Sequence, residues 1–434
     1  QEVVDKYLLP KDFRIVSNQG GNLFHHRRKM SDGEVVLLVN SDLNESSKGM
    51  VQLAGAGVVE LNTFSGKVVD YPNSRSSENV KFDYELSPGG HLLVYVFEKK
   101  HHSYQSSPVT TQREYIMPVS PLKINPLADN VLVVDFCDLE LADSVHKDIH
   151  IYEADQKVFK HFGFPEGNPW GTAIQYKKNI VERDINKHEG FKLTYHFQFD
   201  NLFNVSTADW KIVIERSNLY SIAINGIEVS NQTNEWWLDR DFCVLPLGKY
   251  ICNGVNSLTL SIDSMNLDAE PAPIYVLGDF KLLSAEHGWK MVGLNNKIEL
   301  GSWRVQGSPF YADAVTYEQS FQVPYCENMG YEVQLGKWNG TVSEVLVNGV
   351  SAGIIAFKPY TLDVSKLIRP GINQISVKVV GSNKNLFGPF HNESSIGFVT
   401  PNLYKGTVNY PAGKDYMQFD YGLYEPFLLL SKSK

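Results

Sequence analysis

Tyr331–Val380 reads YEVQLGKWNGTVSEVLVNGVSAGIIAFKPYTLDVSKLIRPGINQISVKVV. Tyr331, Val333 and Leu335 alternate with Glu332 and Gln334, and Ile375, Val377 and Val379 alternate with Gln374, Ser376 and Lys378. A period of two marks strands with one buried and one wet face. Asn348-Gly349 follows Val345-Leu346-Val347, and that dipeptide is a strong hairpin signal because both residues accept positive φ. Gly371 opens the last strand, where a turn needs the same freedom.

The same pattern occurs earlier in the chain. Leu245–Gly254 aligns without a gap on Leu362–Gly371, and Asn256 and Asn373 each stand two residues beyond the glycine. Leu258, Leu260 and Ile262 match Ile375, Val377 and Val379; Ile222, Ile224 and Asn225-Gly226 match Val345, Val347 and Asn348-Gly349; Phe197-Gln198-Phe199 matches Phe321-Gln322-Val323. A repeat of more than about 100 residues indicates duplicated domains rather than a solenoid. Residues 191–262 and 317–380 are therefore expected to share one sandwich, with Asn225-Gly226 over Asn348-Gly349.

The chain has 434 residues, for which the length prior is roughly three domains. Aromatic residues make up 12% and charged residues 21%, the composition of a globular chain. The net charge is −9 and there is no basic tract, which argues against nucleic acid as a partner. The longest apolar runs, such as Val35–Val39, are too short to span a bilayer. The chain starts at Gln1 with no signal peptide and reads as a mature or excised fragment. Cys137, Cys243, Cys252 and Cys326 form no zinc spacing and no disulfide framework, although Cys243 and Cys252 fall in one module and are near enough in sequence to pair.

Residues 1–108 read as a β-sandwich with strands at Glu34–Asn40, Val51–Leu53, Val58–Leu61 and His91–Phe97, ending in the polar linker His101–Pro108. Residues 109–285 hold the first module copy, preceded by a buried strand at Asn130–Phe136, and residues 286–434 hold the second. No long stretch shows a helical period, and a TIM barrel of about 250 residues does not fit. The expected fold class is all-β: three tandem antiparallel β-sandwiches, the last two jelly rolls related by duplication.

Several motifs carry a resemblance. His26-Arg27 followed by Gly33–Asn40, and Leu61–Gly66, are similar to the segment just after the catalytic barrel in large bacterial α-L-rhamnosidase-type glycoside hydrolases. Gly301-Ser302-Trp303, Gln306-Gly307, Pro309-Phe310-Tyr311, Val347-Asn348-Gly349 and Tyr421–Pro426 resemble the C-terminal sandwiches of the same enzymes. The repeated module also resembles the galactose-binding-like domain of family 2 glycoside hydrolases. The resemblance implies a bacterial, polysaccharide-degrading setting, periplasmic or extracellular, with the catalytic barrel of the same parent chain and carbohydrate as partners. In that family the catalytic carboxylates sit on the barrel, so no catalytic residue is carried over.

Sugars present flat CH faces that stack on aromatic rings and hydroxyls that need paired donors and acceptors. The first copy has 20 positions between Asn225 and Leu245 where the second has 14 between Asn348 and Leu362, and Glu235-Trp236-Trp237 falls in the longer loop. Trp236 and Trp237, with Asp239 and Arg240, are the leading sugar-binding candidates, and Trp338 is a weaker one. Adjacent residues on an extended segment face opposite ways, so one indole is expected to pack inward and the other to face solvent. Glu235, Asp239 and Asp241 cluster near the two tryptophans and read as a solvated loop rather than a catalytic carboxyl pair. Asn383, Asn385, His391 and Asn392 read as turn chemistry.

Gly349-Val350-Ser351-Ala352-Gly353 matches the GxSxG pattern, but a nucleophile elbow needs a following helix, and Ile354–Pro359 does not read as one. His25–Lys29 reads as a charged strand edge or an anion site. The sequons at Asn44, Asn204, Asn231, Asn339 and Asn392 mark exposed loops. No cofactor is expected, and nothing specifies a structural calcium. Three functions follow from this reading: the accessory, carbohydrate-binding tail of a glycoside hydrolase, an independent carbohydrate-binding protein, or a small hydrolase with a site between sandwiches.

Overall fold

The computed structural model describes residues 13–99, 113–171, 174–185, 188–200, 209–294, 297–324, 329–391, 400–404 and 410–433. The linker His101–Pro108, Asn204, Cys326 and Asn392 lie outside them. The described chain is all-β in its main elements, built of antiparallel sheets stacked in pairs.

In the N-terminal unit, one sheet runs Phe13–Gln19, Ser47–Ala54, Asn79–Leu86, Ser74–Ser76. The other runs Leu23–Lys29, Gly33–Asn40, His91–Phe97, Gly57–Leu61, Val68–Asp70. The period-two residues Val36, Leu38, Val51, Leu53, Val80, Phe82, Val94 and Val96 meet between them as one core. Leu23–Lys29 is an edge strand, and its Arg27 guanidinium lies 2.7 Å from the Glu34 carboxylate. Phe64 meets Phe357 of the C-terminal unit edge to face at 6.2 Å.

The two module copies have the same strand order. In the middle unit an eight-stranded sheet contains the run Phe136–Leu141, Phe191–Asp200, Gly254–Ile262, Ser221–Ile224, Ile227–Val229, extended by Ser144–His150 beside the first strand and by the hairpin Phe280–Ser284/Trp289–Leu294, whose second strand pairs in parallel with Phe191–Asp200. Its counterpart runs Lys123–Pro126, Ala314–Val323, Gly371–Val380, Val342–Val347, Val350–Ile355. The opposing sheets run Asn130–Val134, Ile274–Gly278, Lys211–Glu215, Asp239–Pro246 and Arg113–Ile116, Leu428–Ser433, Met329–Gln334, Thr361–Asp363. Phe197 pairs with Asn256 as Phe321 pairs with Asn373.

Arg113–Ile116 and Lys123–Pro126 fall in the range that sequence assigns to the middle unit. They hydrogen-bond instead into the two sheets of the C-terminal sandwich, against Leu428–Ser433 and Ala314–Val323. The middle unit thus sits between strands of its neighbour. The cores also join: Phe310, Leu386, Phe390 and Tyr416 pack into the middle unit's apolar cluster.

The Asn-Gly turns do more than reverse the chain. Asn225 and Asn348 take φ of 49° and 52°, and their glycines 78° and 80°. Asn225 Oδ1 accepts from Ser257 N–H at 2.9 Å, and Asn348 Oδ1 from Gln374 N–H at 3.0 Å. The same amides donate to Asn256 Oδ1 at 2.8 Å and Asn373 Oδ1 at 3.0 Å. Asn256 and Asn373, 1% and 0% exposed, in turn close the turn that precedes them. Asn256 accepts from Cys252 N–H and donates to the Cys252 and Gly254 carbonyls. Asn373 does the same with Arg369 and Gly371.

One helix departs from the sequence reading. Ile151–His161 is an α-helix, with Ile151, Ala154, Asp155, Val158 and Phe159 buried. These positions are spaced for one helical face. Their signal spans only 11 residues, and the flanking strands carry a different period.

Replacing Asn373 by alanine strips partners from the Arg369 N–H, two carbonyls and the Asn348 amide. Unpaired buried groups cost about 1–3 kcal/mol each, and water reaches some of them, so the expected loss is about 3 kcal/mol in urea unfolding. A change below about 0.5 kcal/mol would show that the pair does not hold the turn.

Candidate functional site

A cleft of about 560 Å³ opens where the helix, the middle unit's second sheet and the C-terminal unit meet. Ligand pockets span roughly 300–1,000 Å³. The helix contributes Tyr152, Asp155 and Gln156, and the loop beyond it contributes Asn168 and Trp170. Glu215 ends the strand Lys211–Glu215, and Glu270–Pro273 precede Ile274–Gly278. Phe387 and Tyr404 close the cleft from the C-terminal unit.

Its polar side is tightly wired. Asn168 Nδ2 donates to Asp155 Oδ1 at 3.0 Å and to Glu270 Oε2 at 2.6 Å. Asn168 Oδ1 accepts from Trp170 N–H at 3.0 Å, and the Trp170 indole donates to Leu267 O at 2.8 Å. The Trp170 ring is therefore held at both its backbone and its edge. Arg216 reaches Asp241 at 3.0 Å and Glu270 at 3.8 Å. Burial pushes the Glu215 carboxyl above its ordinary range, and the Glu270 charge adds to this. Burial pushes Glu270 up as well, against the Asn168 hydrogen bond and Arg216, which favour its charged form.

The residues singled out from sequence lie elsewhere. Trp236–Trp237 is a short strand paired with Asp239–Pro246, and both indoles line a second groove of about 840 Å³. Trp236 is 56% exposed. Trp237 is partly buried and tilted against Tyr275 at 5.5 Å, so the two indoles occupy different environments. Asp239 and Arg240 are exposed; Asp239 Oδ1 accepts from Asp241 N–H at 3.0 Å, an ordinary turn contact. Trp338 is 8% exposed and packs on Tyr360 at 5.4 Å, so its ring presents no face for stacking. Ser351 sits in the Val342–Ile355 hairpin with no helix after it, and its hydroxyl donates to Glu344 at 2.8 Å. Cys243 and Cys252 are free thiols. Asn385, 2% exposed, donates to Phe419 O and accepts from Phe419 N–H, a structural clasp.

Sequence reasoning missed the cleft because its residues are far apart in the chain: Asp155 and Glu270 converge only through the fold. The Ile151/Ala154/Val158/Phe159 spacing was the available signal, since it would have placed Tyr152 and Asp155 on one short helix. Among the described residues, Asp135, His150 and His391 form a group whose potential metal-ligand atoms lie within 4.8 Å of one another.

No protein-family model matches the chain, and no curated protein matches it. Solved structures do. A rhamnosidase from Novosphingobium sp. PP1Y is 13% identical over 99% of this chain and 26% of its own, with a TM-score of 0.43. The chain is similar to rhamnosidases. The α-L-rhamnosidase of Streptomyces avermitilis, complexed with L-rhamnose, is 14% identical over 96% of this chain and 39% of its own, with a TM-score of 0.25. An FMN-binding β-glucuronidase from Facaelibacterium prausnitzii L2-6 is 18% identical over 35% of this chain and 21% of its own, with a TM-score of 0.19. The chain thus spans less than two-fifths of the length of each of these structures.

The raised Glu215 carboxyl sets a pH signature. Its folded form holds a proton that the unfolded chain releases near its ordinary value, so this contribution to stability is present at low pH and is lost as pH rises. Glu215→Gln cannot ionise. Its midpoint in urea, relative to the parent, is expected to climb as pH goes from 4 to 8, and a pH-independent difference would contradict the burial argument.

Proposed function

We propose that this chain is a carbohydrate-binding accessory region of a bacterial polysaccharide-degrading glycoside hydrolase, acting in the periplasm or outside the cell beside the catalytic barrel of its parent chain. The cleft between the middle and C-terminal units docks the sugar. One observation carries this reading: the fixed Trp170 ring stands next to the Asp155–Asn168–Glu270 hydrogen-bonded set in a cavity of saccharide size. The ring supplies a stacking face, and the carboxylates and amide supply directional partners for hydroxyls. Phe242, Tyr275, Phe387 and Tyr404 extend the aromatic lining. The exposed Trp236 ring offers a second stacking surface across the sheet.

A second reading, a hydrolase with its site between sandwiches, rests on one geometric fact. The Asp155 and Glu270 oxygens both lie within hydrogen-bonding distance of a single nitrogen. That spacing is comparable with the roughly 5–5.5 Å of carboxyl pairs in retaining glycosidases.

Calorimetric titration of the whole 434-residue chain with neutral plant and bacterial oligosaccharides separates these ideas. Saturable binding that Trp170→Ala abolishes and Trp236→Ala leaves intact is the expected result. Loss only with Trp236→Ala would move the site to the other groove, and no binding by the parent would end the carbohydrate reading. Aryl glycosides, rhamnosides included, should not be hydrolysed. Turnover abolished by Glu270→Gln would favour the hydrolase.

A further inference from the structure

Behind the inner wall of the cleft is a second, much smaller cavity of about 10 Å³, sharing Tyr152, Pro273, Phe387 and Tyr404 with it. That volume suits one water or one ion. Asp135, His150 and His391 line it. His150 and Asp135 are 1% and 3% exposed.

The polar atoms there are poorly served by the protein. His150 Nε2 lies 3.6 Å from Asp135 Oδ2, beyond a good hydrogen bond. His150 Nε2 and both ring nitrogens of His391 are buried with no hydrogen-bond partner among the described residues. Buried polar atoms are rarely left so, and such exceptions call for a missing partner. Tyr416 donates its hydroxyl to Asp135 Oδ2 at 2.8 Å and so orients the carboxylate from behind.

We propose that Asp135, His150 and His391 bind a divalent first-row transition ion of the zinc type, which pins the C-terminal unit to the middle one. Two imidazoles and a carboxylate are the donors such ions select, whereas calcium and magnesium take oxygen ligands. Tetrahedral ligands about 2.0–2.1 Å from zinc stand roughly 3.3 Å from each other. The His150–Asp135 spacing is already close to this, and the widest ligand spacing of 4.8 Å closes by an inward move of His391. The ion has a cost. His150 Nδ1 accepts the Tyr152 N–H at 3.3 Å, and an ion on Nε2 shifts the ring proton to Nδ1, so this long helix cap is given up. Asp135 follows the strand Asn130–Val134, His150 caps the helix, and His391 comes from the C-terminal unit. One ion therefore ties together three segments that meet only in the folded chain.

The test uses the full chain, stripped with a chelator and titrated with Zn²⁺ by calorimetry and with Co²⁺ by absorbance. One equivalent is expected to bind, with a tetrahedral cobalt spectrum and a rise in melting temperature. His391→Gln should weaken binding roughly 100-fold or more, and Tyr416→Phe, which leaves all three ligands in place, about 10–100-fold. Replacing the exposed His25 and His26 by alanine should change nothing. If the parent binds no ion, or if binding survives His391→Gln and Tyr416→Phe, the proposal falls and the cavity holds a water.

Discussion

Two asparagine pairs, each with one buried member, hold the register on which both jelly rolls depend. A strand slipped by one residue turns its whole apolar face to solvent. Asn225 with Asn256, and Asn348 with Asn373, prevent this by tying a hairpin tip to the start of the long central strand. In each pair the first side chain answers a neighbouring strand's N–H, and the second closes the turn before it. No apolar residue could replace either without stranding backbone groups. Once register is set, Leu258, Leu260, Ile375, Val377 and Val379 are buried as their alternation demands.

On that frame the cleft is an accident of joining. A jelly roll alone offers sheets and loops. Here a helix inserted between Ser144–His150 and Phe191–Asp200 lays Tyr152 and Asp155 beside the second sheet, and Phe387 and Tyr404 arrive from the other unit. Asp155 is buried and Glu270 half-buried, and Asn168 and Arg216 compensate these carboxylates in part. Full compensation would lower their proton affinity, yet Glu215 and Glu270 are both raised. The site is thus polar yet only partly compensated within the protein.

Much of the fold was legible, because strand period and Asn-Gly turns are local properties. The ten-residue match Leu245–Gly254 on Leu362–Gly371 and the asparagine two residues beyond it identified the duplication, and the structure gives both copies one strand order. The candidate site was much less legible. Trp236 and Trp237 stood out because a length difference is visible in sequence, and the structure places them in a groove of their own. Trp338 looked like a loop residue, but pairing of Trp338–Asn339 with Gly422–Leu423 covers its ring. Asp155 and Glu270 come together across more than a hundred residues through one amide, and no spacing rule reaches that far.

The strands Arg113–Ile116 and Lys123–Pro126 precede the middle unit yet complete the sandwich that follows it. This has a consequence during synthesis. Leu428–Ser433, the partner of Arg113–Ile116, leaves the ribosome about 310 residues after it. At about 5–20 residues per second, Arg113–Ile116 waits roughly 15–60 s for its partner and Lys123–Pro126 roughly 10–40 s. The enclosed module emerges first, but its core is completed only when Phe310, Leu386, Phe390 and Tyr416 of the enclosing unit arrive. A chain interrupted before Ala314 would carry both early strands with open edges, the form most exposed to intermolecular pairing.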